Sequence, residues 1–389
     1  MTAPRSRVLV VGLGDTGLLT AIHLAHHHRH LEVVAVGTKP TMLSGQELGL
    51  RLARPEEWSR DYRIAYERYR RLDRVRRLHG AAVALDRERR IVSVRTAAGA
   101  QVEEPYDALV ISTGVSNGFW RNSDVETQAQ IEDGLTQAHR RLEEAERIAV
   151  VGGGAAAVSS AYQLAQRWPH KDVALYFPRE RALPGHHERV WRDVARRLRE
   201  SGVRLQSGHR ARVPDDAPRI TTGPVHFESG PPSLPSARAD AVLWAIGRVR
   251  PHTTWLPSDL LDGDGYVDVD PTLRSRADER IWAIGDVAAS DPLRSSARNR
   301  ADRMLARNIR RSLAATGGRE ADAIAPDLRR FRPARRRWGS VLGPQADGLR
   351  VYAPDGRRFR IGRRAVDTLL RPWVIRRGIY QGIRREGAR

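Results

Sequence analysis

Ten residues near the N-terminus, Val8–Gly17 (VLVVGLGDTG), constrain this chain more than any other stretch. Val8–Val11 is a continuous apolar run of the kind that forms a strand buried on both faces. It leads directly into Gly12-x-Gly14-x-x-Gly17 and then into the helical pattern of Leu18–Ala25. Strand, glycine turn and helix in that order are the context in which this spacing holds a dinucleotide. Gly12 makes the tight turn, Gly14 lets the backbone approach a pyrophosphate, and Gly17 lets the helix pack close to the strand. Asp15 and Thr16 complete the turn, and the first N–H groups of the helix face the diphosphate. A further strand pattern at Glu32–Val36 follows.

The arrangement repeats. Arg147–Gly154 (RIAVVGGG) is a second apolar strand ending in glycines, followed by a helical pattern over Ala155–Arg167 and a strand over Asp172–Phe177. The turn holds Gly152, Gly153 and Gly154, then Ala155 and Ala156, with Ala157 in the third glycine position. Two such motifs in 389 residues, a length suited to two or three domains, predict an α/β protein with two Rossmann-like parallel sheets. They also suggest two cofactors face to face, a donor and an acceptor.

Composition removes several classes. The chain has no cysteine, which excludes a disulfide framework, a thiolate metal site and a redox-active CxxC. No secretory pattern precedes the first strand, and no apolar run approaches the roughly 18 residues of a spanning helix. The expected location is cytoplasmic, or peripheral on the inner face of a membrane. His26, His27, His28 and His30 have no convergent carboxylates, so no metal site is expected. The net charge is +21, and the stretch from Arg329 to Arg389 carries 18 arginines against four acids. Such a tail attracts anionic membrane, acidic protein or nucleic acid. Val366, Leu369, Leu370, Trp373 and Tyr380 fall on one side of a helical wheel over Ala365–Arg385, the pattern of an interfacial anchor interrupted by Pro372.

Both cofactor motifs depart from the standard in one respect. The strand after the first motif should end in an acid that bonds a ribose, but Leu31–Val36 runs into Gly37-Thr38-Lys39, leaving Thr38 and Lys39 to meet a phosphate or ribose. A charge-assisted bond contributes about 1.5–3 kcal/mol, so its loss weakens binding without abolishing it. The matching strand of the second unit ends at Phe177-Pro178-Arg179, again without an acid. Arginine there accommodates the 2′-phosphate of NADP, which predicts a modest NADPH preference.

Further along, Asp61–Arg77 reads as a charged surface helix, Ala81–Leu85 and Ile91–Thr96 as strands, and Tyr106–Gly114 as a buried strand ending in Ser112-Thr113-Gly114. Asp124–Ala145 reads as a crossing helix. Ile220–Glu228 and Ala239–Ile246 read as strands, and Gly265–Ile284 returns to strand patterns that end in IWAIGD. Candidate strands lie at Leu349–Ala353 and Phe359–Ile361.

The order GxGxxG, STG, GGGxxA, AIG, IGD resembles the two-dinucleotide-domain flavoprotein reductases over roughly Arg7–Ser312. The nearest branches are the type II NADH dehydrogenases and the apoptosis-inducing-factor-like oxidoreductases, including the ferroptosis suppressor. The resemblance implies FAD at Gly12, Gly14, Gly17, Thr113, Gly114, Gly285 and Asp286, and the turn residues Asp15 and Thr16 with Thr38 and Lys39 at the end of the second strand are expected in the same site. It implies NAD(P)H at Gly152, Gly154 and Ala157, with Gly153, Ala155, Ala156, Arg179 and Gly247 expected in the same site. It divides the chain into an FAD domain (1–120 and 248–326), an NAD(P)H domain (121–247) and a basic C-terminal module (327–389). In those families a glutamate often follows the second motif, and here Ser159 stands in its place. No separate acid–base dyad is evident. By family position Gln46 and Glu47, with Ser44 beside them, come near the flavin, and with Ser159 they are the candidates for a direct role.

The expected function is an FAD-dependent NAD(P)H oxidoreductase delivering electrons to a small-molecule, quinone-like acceptor. The alternatives are a reductase for a small acidic carrier such as a ferredoxin, steered by the positive surface, and a non-catalytic nucleotide sensor docking on nucleic acid through its tail. The tail has few aromatic residues for base stacking, which weighs against nucleic acid.

Overall fold

The computed structural model describes residues 6–26, 30–43, 47–116, 123–214, 219–230, 235–246, 249–291, 301–316, 327–333 and 339–384. The first sheet grows from the apolar run. β1 (Ser6–Val11) has Val8–Val11 fully buried, because it is flanked by parallel strands on both sides. α1 (Asp15–His26) returns the chain to β2 (Leu31–Gly37), paired in parallel with Val8 opposite Val33. Two short helices follow, α2 (Leu48–Ala53) and α3 (Pro55–Tyr62). β3 (Val75–Asp86) then pairs in parallel with β2 through its first half and antiparallel with β4 (Ile91–Thr96) through its second. Gly80 marks the change of partner, where a Cβ would lie 2.6 Å from the Arg95 carbonyl oxygen. β5 (Gln101–Pro105) closes this antiparallel extension, and β6 (Ala108–Ile111) inserts beside β1.

The second unit begins at α4 (Gln128–Glu144), opened by a capping box in which Thr127 and Gln130 exchange side-chain and backbone bonds. β7 (Arg147–Val151), α5 (Ala155–Arg167), β8 (Asp172–Tyr176), α6 (Glu188–Glu200), β9 (Arg204–Gln206), β10 (Ile220–Thr221) and β11 (Ala241–Trp244) form a sheet in the order β9-β8-β7-β11-β10. Only β10 runs antiparallel. The chain then returns to the first sheet as β12 (Ile281–Ala283), giving the order β12-β6-β1-β2-β3-β4-β5, and α7 (Ala301–Thr316) packs on α1. The result is a mixed α/β protein with two Rossmann-like units.

Three stretches differ from the sequence reading. Asp61–Arg77 is not a surface helix. α3 ends at Tyr62, and Tyr66, Tyr69 and Leu72 turn inward at a spacing of three, in short tight turns. The Tyr66 hydroxyl donates to the Leu13 carbonyl at 2.9 Å, so the segment serves the core. Ile220–Glu228 breaks at Gly223, which has a φ of 98°, and resumes as a separate strand, Val225–Ser229. Gly265–Ile284 is mostly turns, because Asp262 and Asp270 accept backbone N–H bonds from residues two and four positions on.

The C-terminal region has little core of its own. β13 (Pro344–Gln345), β14 (Gly348–Tyr352) and β15 (Arg358–Gly362) form a small antiparallel sheet, with Val341, Leu342 and Tyr352 buried in the core of the second unit. The Gln163 amide donates to the Leu342 and Pro344 carbonyls, each at 2.8 Å. Asp193 accepts from the Tyr352 hydroxyl at 2.8 Å and pairs with Arg196 and Arg358. The following helix, α8 (Val366–Ile379), runs through Pro372 and crosses to the first unit, where Arg371 and Arg376 pair with Asp61. Val366 is buried and Tyr380 packs against the first core, whereas Leu369 and Trp373 are exposed. The apolar stripe of the helical wheel is therefore split between two directions. Among the described residues no helix is long and apolar enough to cross a membrane.

Candidate functional site

The first glycine turn is built as its spacing requires. Gly12 sits at a φ of 103°, and a Cβ there would overlap the Ser112 carbonyl. A Cβ on Gly17 would overlap the Gly12 carbonyl, which also accepts from the Ser112 hydroxyl at 2.8 Å. Gly14 is the opposite case, because a Cβ there would meet no atom within 4 Å. Two glycines are demanded by the protein's own backbone, and the third leaves open space on the side where a phosphate group approaches.

That space is part of a cavity of about 1140 Å³, above the 300–1,000 Å³ usual for small-ligand sites. Gly12, Gly14, Asp15, Thr16, Thr38, Lys39, Thr113, Gly114, Gly285 and Asp286 all line it, drawn from the ends of β1, β2, β6 and β12. Gly17 does not line it and instead lies beneath the turn. Thr113 and Gly114 are fixed from outside the sheet. The Thr113 hydroxyl donates to the His252 carbonyl at 2.9 Å, and the His252 N–H donates to the Gly114 carbonyl at 3.1 Å. Beside these bonds Val115–Ser116 pairs antiparallel with Arg250–Pro251, so the strands leaving and re-entering the first unit are stitched together.

Several lining residues carry no signal in the sequence. Arg51 lies on α2, is 5% exposed, and stacks its guanidinium 4.4 Å above the Trp58 ring. Trp255, Tyr66 and Arg95 arrive from separate segments. Asp124 and Thr127 arrive from the crossover before α4, and Gln130 from that helix's first turn. Only the Thr127-x-x-Gln130 spacing was readable, as a capping box.

The candidates for a direct role lie elsewhere. Gln46 and Ser44 fall outside the described residues. Glu47 adopts a left-handed conformation with φ 56°, and its carboxylate rests against Gly343 and does not line the cavity. Ser159 is buried on α5 against Gly49 of α2, where close packing excludes a Cβ, and it too is absent from the cavity wall.

The second turn reproduces the first. The Gly152 N–H donates to Tyr176 O at 2.9 Å, as Gly12 N–H donates to Val36 O at 2.8 Å. Gly152 has φ 143°, and a Cβ there would overlap the Ala245 carbonyl and lie 3.2 Å from the buried Ala157 Cβ. Gly154 has open space around it, no side chain caps α5, and Ala155 and Ala156 are exposed, so the first N–H groups of this helix are presented outward. A Cβ on Gly153 would lie 3.4 Å from the Phe177 side chain, and the Gly153 carbonyl accepts from Leu183 N–H at 2.7 Å. Arg179 is exposed just beyond β8. Gly247 lies outside the described residues.

Two glycine turns of this build, each at the carboxyl edge of its own parallel sheet, define a protein with two dinucleotide sites. The chain belongs to the pyridine nucleotide-disulphide oxidoreductase family, whose model matches residues 6–311. Among relatives, it is 34% identical over 158 residues to Fe-regulated protein 8 of Mycosarcoma maydis, covering 40% of this chain and 37% of that one. It is 20% identical over 318 residues to apoptosis-inducing factor homolog B of Dictyostelium discoideum, covering 76% and 78%. The match to the first of these thus spans little more than a third of that relative's length. An engineered water-forming NADPH oxidase is similar in fold, with a TM-score of 0.67 and 20% identity over 89% of this chain and 75% of that one. The family's disulphide has no counterpart here, since the sequence has no cysteine.

Proposed function

We propose that this NAD(P)H-dependent flavin oxidoreductase passes a hydride from NADPH to FAD, and electrons from there directly to a quinone-like acceptor. The observation that carries the reading is the convergence of the first motif, Thr113–Gly114 and Gly285–Asp286 on one large cavity. The residues fit FAD. Gly14 leaves room where a diphosphate would lie, the N-terminus of α1 supplies backbone donors, and Asp286 offers a carboxylate for a sugar-alcohol chain. When bound, the flavin would supply the redox chemistry. The protein's contribution is to bind it, fix Thr113 and Gly114 through His252, and hold the buried Arg51 cation on the cavity wall.

At the second site Arg179, exposed beyond β8, would meet a 2′-phosphate, and Ala157 stands in the third glycine position. The engineered NADPH oxidase carries a glycine-to-alanine and an alanine-to-arginine change among its five substitutions, which supports an NADPH preference here. Without cysteine no dithiol relays electrons, so the acceptor meets the flavin itself. Exposed Leu369, Trp373 and Val374 on α8 support docking at an anionic membrane surface, where a quinone dissolves.

The purified protein should be yellow and should bleach anaerobically on adding NADPH, with a smaller rate for NADH. Subsequent addition of a short-chain quinone should restore the colour. A colourless protein that takes up no added FAD would overturn the assignment. A yellow protein that neither nicotinamide bleaches would leave a flavin-binding sensor as the better reading.

A further inference from the structure

The adenosine end of the cavity poses a problem that β2 does not solve. By the motif's own logic the diphosphate lies at the β1–α1 turn and the ribose beside the end of β2, yet β2 ends without an acid. In the structure Lys39 occupies this place on the cavity wall. It donates to the Asp124 carbonyl at 2.6 Å and ion-pairs with the Glu126 carboxylate. Burial pushes the Lys39 pKa down, and Glu126 opposes that shift. The crossover segment is pinned at this point. The Glu126 N–H donates to the Thr38 carbonyl at 3.0 Å, and His79 Nε2 lies 3.1 Å from the Glu126 carbonyl. Asp124 lines the cavity beside Lys39, and Arg219 of the second unit faces both Asp124 and Glu126. Asp124, through its backbone carbonyl, and Glu126, through its carboxylate, thus meet the end of β2 from a segment more than eighty residues later in the chain.

Resting on the FAD reading, we infer that the crossover supplies the acid that β2 lacks. Asp124 accepts hydrogen bonds from the adenosine ribose hydroxyls, and the Lys39–Glu126 pair is the positioning device that holds Asp124 against the end of β2. A lysine at this place is then not a defect in the motif, since it recruits the carboxylate from elsewhere. A ribose diol bound by an ionised carboxylate gains a charge-assisted bond in a partly desolvated site.

The test is titration of the apoprotein with FAD and with FMN, which carries the flavin and one phosphate but no adenosine. Asp124→Asn should weaken FAD binding by about tenfold or more, leave FMN binding unchanged, and keep the wild-type melting temperature. Glu126→Gln should shift the FAD-to-FMN ratio in the same direction. The paired variant Lys39→Met with Glu126→Gln removes both charges together, so it should fold while still losing FAD selectivity. Variants that keep the wild-type ratio, or that lose FAD and FMN affinity equally, overturn the inference. A wild-type apoprotein that binds neither flavin overturns the FAD reading itself, a distinguishable result.

Discussion

The Tyr380 hydroxyl donates a 3.0 Å hydrogen bond to the Asp15 carboxylate, joining the far end of the chain to the first turn of the first dinucleotide motif. Burial and the Asp15 charge push the Tyr380 phenol pKa well up. Its ring packs edge-on against buried Tyr69 at 5.5 Å, and Arg384 beyond it pairs with Asp73 at 2.6 Å. Tyr380→Phe keeps the ring and loses the bond. The expected cost is about 0.5–1.5 kcal/mol, read as a lower midpoint in urea with an unchanged slope. An unchanged midpoint would show that the strap contributes nothing to stability.

Gly14 and Gly17 should separate binding from folding. At Gly14 an added side chain enters open space, so Gly14→Val should purify folded but empty of flavin. At Gly17 the same change meets the Gly12 carbonyl, so Gly17→Val should unfold the turn and give little soluble protein. Full flavin content in folded Gly14→Val would remove the first motif as the FAD site.

This contrast also shows how much was legible. The glycine spacing, the apolar runs Val8–Val11 and Ile148–Val151, and the return strand at Ile281–Ala283 announce both sheets, because each is a local pattern fixed by burial. What escaped was non-local. Arg51, Asp124 and His252 reach the cavity from segments whose composition resembles any polar surface. Tyr66, Tyr69 and Leu72 mimic a helix in an arginine-rich stretch, and only the packing shows that their spacing of three serves tight turns. The contacts of the basic tail escaped as well, because its acidic partners Asp61, Asp73 and Asp193 lie far away in sequence.

Arg179 should set the nicotinamide preference. Arg179→Ala should lower kcat/KM for NADPH by about 1.5–3 kcal/mol equivalent, roughly ten- to a hundredfold, and barely change it for NADH. A ratio of the two kcat/KM values equal to wild type would exclude Arg179 as the discriminator.

Stability should fall in acid through carboxylates paired with arginine. The Arg147 side chain and N–H hold Asp240 down to about 2. Asp193, despite burial, is also held below its ordinary value by Tyr352, Arg196 and Arg358. A depressed folded pKa means the contribution is complete above the unfolded value near 4 and is lost as pH falls toward 2. Asp240→Asn should flatten the pH dependence of the denaturation midpoint between about pH 4 and 2. A curve parallel to wild type would show that this pair does not carry it.

The last prediction concerns the exposed face of α8. Leu369, Trp373 and Val374 are each more than half exposed, and Arg377 lies 5.1 Å from the Trp373 ring centre. On an anionic bilayer these apolar groups enter the headgroup region, and each nearby arginine contributes about 1 kcal/mol. Deleting the tail is a poor test, since a chain ending at Arg364 also loses the Tyr380–Asp15 and Arg384–Asp73 contacts. The triple variant Leu369→Ser, Trp373→Ser, Val374→Ser touches only exposed positions and should retain the wild-type melting temperature. In sedimentation with anionic liposomes the wild type should pellet at low salt, and the triple variant should stay largely in the supernatant. Equal pelleting of both proteins, or of neither, removes the membrane from the account, and the acceptor must then reach the flavin from water.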